Sequence, residues 1–287
     1  MNAPSTALSA PEDSLRAGDP QQALKQLQDL IRGKPGDAKL RVFLFQLLCV
    51  LGQWERALNQ LNVATELDAS TLAMAQTYRE GIKCELLRAE VFKGLKVPMI
   101  FGQPEPWLAL LIEALLREGK GEHADAKSLR DQAFEQAPAV SGTVGQGDAA
   151  QAFEWIADAD MRLGPVIEAV INGKYYWVPF SRLSALTIDP PEDLRDAVWM
   201  PAHFVFENGG ESVGLIPTRY AGSEASLDGL IALSRKTDWV ESTPGFYTGL
   251  GQRLFTTNEG DTPLMDLRSI TFNATPSDAT DTAAAAE

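Results

Sequence analysis

Histidine is nearly missing from this chain, with His123 and His203 the only two, and cysteine is equally scarce, with Cys49 and Cys84 alone. So few imidazoles and thiols leave little from which to build a zinc site or a Ser-His-Asp or Cys-His arrangement. His123 falls in a glycine-turn region between helices and is expected to be solvated; His203 follows Met200, Pro201 and Ala202 at a strand start and is expected to be packed. Neither cysteine stands in a C-x-x-C spacing, which fits a reducing cytoplasm. A P-loop, an H-E-x-x-H helix and a G-x-S-x-G elbow are also missing. No apolar run is long enough to span a bilayer, because VFLFQLLCVLG and WLALLIEALL are short and interrupted by Gln46 and Glu113, so both read as buried helices. The N-terminal stretch MNAPSTALSAPEDS has no basic leader and no continuous apolar segment, and no signal peptide or membrane anchor is expected.

Basic charge is in short supply as well. From Asp148 onward nine Lys/Arg face twenty-one Asp/Glu, whereas the residues before it hold sixteen against eighteen, for a net charge of −14. So acidic a second half repels phosphate backbones, which argues against nucleic acid as a ligand. It suits a basic or amphipathic protein partner.

What the sequence does contain is 287 residues with 45% apolar content, enough for two ordinary domains with real cores. In the first half Gly18, Ala23, Leu24 and Leu27 recur as Gly52, Ala57, Leu58 and Leu61, each displaced by 34 residues. That is the tetratricopeptide period. The glycines fall where two antiparallel helices turn, the alanines allow close approach, and Pro35 and Asp68 mark the ends of the second helices. LAMAQTYREGIKCELLRAEVFKG reads as one long helix, stopped by the prolines of VPMIFGQPEP. WLALLIEALLREGKGEHADAKSLRDQAFEQAP then repeats the order of helix, glycine turn and helix with imperfect spacing. Stacked repeats of this kind leave a concave groove that holds peptides or helices.

Residues 139–150, AVSGTVGQGDAA, read as a linker. Their glycines make no dinucleotide fingerprint, since no strand precedes and no apolar helix follows. Beyond them strand signals take over. VIEAVI and KYYWVPF flank Asn172-Gly173, and HFVF and SVGLIPT flank Asn208-Gly209, both signatures of β-hairpins. PPEDLRDAV and SLDGLIALSRKT are helix candidates, and QRLFTT and PLMDLRSITF supply further strands. The expected organisation is therefore an N-terminal tail over 1–11, a tetratricopeptide-like helical domain over 12–138, the linker over 139–150, a smaller α+β domain of mostly antiparallel strands over 151–272, and a disordered tail over 273–287.

Two segments are candidate sites. In DADMRLGP strict alternation would put Asp158, Asp160 and Arg162 on one face of a strand, where they either bind a divalent ion or pair an acid with a base. The alternative is an ion-pair network in which Arg162, Arg219 or Arg253 neutralises the aspartates. It is favoured because no histidine and no further acidic cluster completes a metal shell. No metal and no cofactor is expected. The segment from Arg235 to Arg253 is dense in charged, aromatic and glycine residues. Arg235, Asp238, Trp239, Gln252 and Arg253 form either a recognition surface or a buried polar corner plugged by Trp239.

The phrases DADMRLGPVIEAVINGKYYWVPF, PEDLRDAVWMPA, GLIPTRYAGSE, RKTDWVE and GLGQRLF, in this order behind a degenerate tetratricopeptide-like region, resemble the ImpE family, also called TagJ, across nearly all of residues 10–272. That resemblance implies a cytoplasmic, non-enzymatic accessory protein of bacterial type VI secretion systems. It implies binding to the N-terminal helix of the small sheath subunit, TssB, and through it a link to the ATPase ClpV. It carries over no catalytic residues. The competing reading is an enzyme that uses Asp158, Asp160 and the 235–253 segment, with the repeats recruiting its substrate.

Overall fold

A computed structural model describes residues 9–145 and 150–273. The helical half runs α1 (Ser9–Arg16), α2 (Pro20–Gly33), α3 (Ala38–Val50), α4 (Trp54–Leu67) and α5 (Leu72–Phe92), then the short strand β1 (Met99–Ile100), α6 (Pro106–Gly119) and α7 (His123–Gln136). The 34-residue repeat is visible in the packing. Ala23 and Ala57 are fully buried, as are Leu27 and Leu61 one helical turn on. Gly18 and Gly52 take φ of +81° and +64°, the left-handed turn that a side chain resists. Asp19 caps α2 and Asp37 caps α3 through their carboxylates.

The second half is mostly antiparallel sheet, with β2 (Gly142–Val144), β3 (Gln151–Phe153), β4 (Ile156–Asp158), β5 (Val166–Ile171), β6 (Lys174–Pro179), β7 (Leu183–Ile188), β8 (Trp199–Phe206) and β9 (Glu211–Pro217). The one-turn α8 (Gly229–Ala232) precedes β10 (Thr237–Thr243), β11 (Phe246–Gly251), β12 (Leu254–Thr257), β13 (Gly260–Pro263) and β14 (Ser269–Phe272). Nine strands form one sheet in the order β1-β6-β5-β9-β8-β7-β14-β2-β3, in which only the β1–β6 pair is parallel. β12 pairs with β13 and β4 in a second sheet, and β10–β11 is a separate hairpin. Both expected hairpin turns form, with Ile171 opposite Lys174 across Asn172-Gly173, whose φ values are both positive, as a type I′ turn requires.

The large sheet is covered on both faces, and β5 shows how. Val166 and Val170 join a core shared with the helices, while Ile167, Ala169 and Ile171 join a second core with Phe180, Phe204 and Phe255. The first core mixes Leu27, Phe45 and Tyr78 of the helices with Trp177, Trp199 and Leu215 of the sheet. Helix α3 explains this mixing, because every residue from Leu44 to Val50 is buried. A helix apolar all round needs neighbours on all sides.

Several expectations need correction. The two halves, expected as two domains each with its own core, share one. The stretch read as a linker contributes β2, which pairs with both β14 and β3; a Cβ on Gly142 would stand 2.2 Å from the Thr271 carbonyl. Small residues that look flexible in sequence are here what lets a strand fit. Residues 9–11 of the tail expected over 1–11 are helical, and Asn273, the first residue of the tail expected over 273–287, bonds Ser141. Their remainder, like residues 146–149, lies outside the described residues. PPEDLRDAV yields a 3-10 turn, Leu194–Ala197, closed by a capping box from Asp193 and Asp196.

Candidate functional site

The DADMRLGP segment is not a continuous strand. β4 ends at Asp158, and the chain then turns, because Asp158 Oδ1 accepts the Asp160 amide at 2.9 Å and Asp160 Oδ1 accepts the Arg162 amide at 2.9 Å. Aspartates bonding their own backbone two residues on favour turns over extension. Alternation therefore fails after Asp158. Asp158 and Asp160 are nonetheless together, both sealed from solvent.

They belong to a buried ionic network between the halves. Its hub is Glu168, in the middle of β5 on the face toward the helices. Arg88 of α5 grips it with Nε and Nη2 at 2.6 and 2.9 Å, and Arg253 and the Tyr175 hydroxyl also donate to it. Arg253 reaches Asp158 with its other terminal nitrogen and the Pro217 carbonyl with Nε at 2.9 Å. Glu85 accepts from Arg88 at 3.3 Å and from the Trp199 indole at 3.1 Å. Asp160 is held by Arg162 and by the Gly249 amide at 2.8 Å. Gly249 is required there, since a Cβ would sit 2.2 Å from the Tyr220 ring. Arg219, expected beside the aspartates, instead donates to the carbonyls of Cys49 and Val50 at the end of α3 and of Ala232 in α8. A guanidinium there opposes the negative end of the α3 dipole.

The electrostatics follow from burial set against pairing. Burial works to raise the Glu168 carboxyl, and Arg88 and Arg253 overcome it, holding it at about 2. Asp158 shares Arg253 with Glu168, and burial pushes its carboxyl up to about 7. Burial raises Glu85 as well, against the pull of Arg88. Acids and bases this close would be a candidate site if a substrate could reach them. None can reach Glu168, Asp158 or Arg253, whose side chains are 0% exposed.

The 235–253 segment divides. Arg253 is buried, Gln252 donates to the Ser234 carbonyl at 2.6 Å, and Arg235 donates to the Leu15 carbonyl of α1 at 2.7 Å. Asp238 and Trp239 lie on the exposed strand β10, with Trp239 tilted on Tyr220 at 5.7 Å. His203 is not packed. It stands in mid-β8, 41% exposed, facing Glu211 at 3.1 Å. Sequence reasoning missed Glu85, Arg88, Glu168 and Tyr175; the one signal was a carboxylate in the centre of the otherwise apolar VIEAVI. Among the described residues no group of three or more His, Cys, Asp or Glu could hold a metal ion.

Open surface lies elsewhere. Helix α5 packs against β6 of the sheet, and the Leu194–Ala197 turn packs against α3. Trp199 fills the space between Trp54 and Tyr78. The groove expected for a partner is thus occupied midway by the chain's own second half. Its two ends remain. One, of about 550 Å³, has an apolar floor of Leu15, Phe43, Leu194 and Leu233 with Glu12 and Lys39 at its rim. The other, of about 520 Å³, lies between Met74 and Tyr78 of α5 and Pro201, Val213 and Leu215 of the sheet. Among the described residues no helix is long and apolar enough to cross a membrane.

Comparison with known proteins agrees with this architecture. Residues 150–271 match the model of the ImpE protein family, and residues 14–78 match a tetratricopeptide repeat. The chain is 50% identical over 264 residues to the type VI secretion system accessory component TagJ of Pseudomonas aeruginosa, covering 92% of this chain and 91% of that one. The crystal structure of protein VPA1032 from Vibrio parahaemolyticus superposes with a TM-score of 0.83 at 28% identity, over 92% of this chain and 97% of that one. With half its residues shared along almost the whole of a curated relative, and an ImpE domain behind tetratricopeptide repeats, the chain belongs to the ImpE/TagJ family.

Proposed function

We propose that this chain is a cytoplasmic, non-enzymatic adaptor of a bacterial type VI secretion system. Its direct partner is the N-terminal helix of the small sheath subunit TssB, and through that subunit it influences sheath handling by ClpV. The observation that carries this reading is the 50% identity, over nine-tenths of both chains, to a type VI secretion accessory component. The site chemistry supports it, since the titratable residues at the centre of the molecule are used up in joining its halves.

The helix is proposed to sit at an open end of the inner face. With the middle of the inner face filled, the seat is the open end between α1 and α3, where Leu15, Phe43 and Leu233 offer apolar contacts to residues spaced i, i+3 and i+4. Glu12 and Lys39 at the rim would fix its direction. Titrating a labelled peptide of the sheath subunit's N-terminal helix into the full chain tests this, with an expected Kd of roughly 1 μM because a short helix buries little area and must be ordered. Phe43→Glu should abolish binding and Val213→Glu, at the opposite end, should not. The reverse result moves the seat to α5, and no binding to the full chain removes the adaptor reading.

A further inference from the structure

His123, Lys127 and Arg130 are spaced by four and three residues, which puts them on one face of α7. That face looks onto a cleft of about 220 Å³, closed on its far side by Met161 and by Thr243 and Phe246 of the β10–β11 hairpin. Arg130 is built into the wall. Its side chain is only 4% exposed, and its guanidinium stacks on the Phe246 ring at 3.7 Å.

This guanidinium differs from those of Arg88, Arg219 and Arg253, each of which donates several hydrogen bonds. Arg130 makes none to any described residue. Nε is buried without an acceptor, and the nearest carboxylate oxygen, Glu118 Oε2, stands 3.9 Å from Nη1, too far for a hydrogen bond. Glu118 is drawn away by His123, whose Nδ1 lies 2.6 Å from Oε1. Lys127 pairs with Asp131, which also lines the cleft, and both side chains are more than half exposed. Burial pulls the Arg130 pKa down, and Glu118 and Asp131 do not make up the difference. Next to it, α7 starts without any side-chain cap, so the positive end of a 14-residue helix faces the same cleft through His123 and Ala124. A buried, stacked guanidinium whose donors lack acceptors is costly unless a ligand supplies them.

We propose that this cleft binds a single oxyanion group, a carboxylate or phosphoryl, held by the free edge of Arg130 with Lys127 and the start of α7 beside it. Planar two-nitrogen contact with two oxygens is the geometry for which arginine is suited. The volume of about 220 Å³ fits one anionic headgroup. The site is on a different face from the helix seat and stands whether or not the adaptor reading holds.

The test titrates the full-length chain with inorganic phosphate and, separately, with acetate, at ionic strength held constant with chloride, reading thermal midpoint and the ¹⁵N signals of the arginine side chains. One of the two anions should saturate in the low millimolar range, and which one does so assigns phosphoryl or carboxylate chemistry. Arg130→Met, which keeps an apolar contact with Phe246, should weaken binding at least about ten-fold, and Lys127→Ala about three-fold. Glu118→Gln removes the competing carboxylate without touching Arg130, so it should tighten binding and guards against Arg130→Met failing to fold. Absence of saturation by either anion below about 50 mM, unchanged affinity in Arg130→Met, or weaker binding in Glu118→Gln would each overturn the proposal.

Discussion

Strands β5 and β10 are both hairpin strands of similar length with a carboxylate near the middle, yet β5 is buried at every position and β10 is exposed or half-exposed throughout. In β5 the carboxylate, Glu168, draws two arginines and a tyrosine out of three other parts of the chain. In β10 the carboxylates face water, and Glu241 accepts the Gly245 amide of its own turn and interacts with the Tyr247 hydroxyl across the same hairpin. Each is closed by a two-residue turn, Asn172-Gly173 in one and Pro244-Gly245 in the other. What differs is whether the strand lies between two layers, and only there does a charge become a structural demand that other residues must meet.

The comparison predicts a graded set of effects, beginning with Glu168→Ala. It would leave Arg88 and Arg253 buried without their shared carboxylate and should cost about 3–5 kcal/mol, read as a lower urea midpoint. A loss below about 1 kcal/mol would remove the distinction between the two strands. Arg219→Met comes next, because it strips three carbonyls at the ends of α3 and α8 of their donor; about 2 kcal/mol is expected in the same measurement.

The pH profile of stability should show two of the buried carboxylates of the network. Glu168, held at about 2 against an ordinary 4.5, contributes stability that is present above 4.5 and lost as pH falls through about 2. Asp158, raised from 3.8 to about 7, behaves oppositely: its contribution is complete below 3.8 and lost as pH rises through about 7. Urea midpoints should therefore climb from pH 2 to about 4.5, and the decline toward pH 7 should disappear in Asp158→Asn. The smallest effect belongs to the exposed strand, where Trp239→Ala, despite its contact with Tyr220, should stay within about 1 kcal/mol.

Much of the helical half was legible because its signals are local. Gly18 and Gly52 announce their turns, Ala23 and Ala57 their close packing, and the 34-residue spacing ties them together. Both Asn-Gly hairpins were legible for the same reason. The central network was not, since Arg88, Glu168 and Arg253 are separated by 80 and 85 residues and nothing near any of them names its partner. Alternation misplaced Asp160 and Arg162 because two aspartates that accept their own backbone amides override the strand pattern. Gly142 was misread because a residue chosen for tight fit and one chosen for freedom look alike in composition.

The C-terminal half of helix α3, buried on every side, has a consequence for how the chain is made. Residues 38–50 leave the ribosome long before the Leu194–Ala197 turn and Arg219 that cover them, and β2 and β3 can join the sheet only through β14, which ends at Phe272. Until β14 is made the nascent chain therefore displays an apolar helix lacking its cover from the second half and a β2–β3 pair detached from the sheet, the conditions under which incomplete chains associate or recruit chaperones. A stop codon anywhere before residue 269 should yield insoluble protein, however intact its tetratricopeptide repeats.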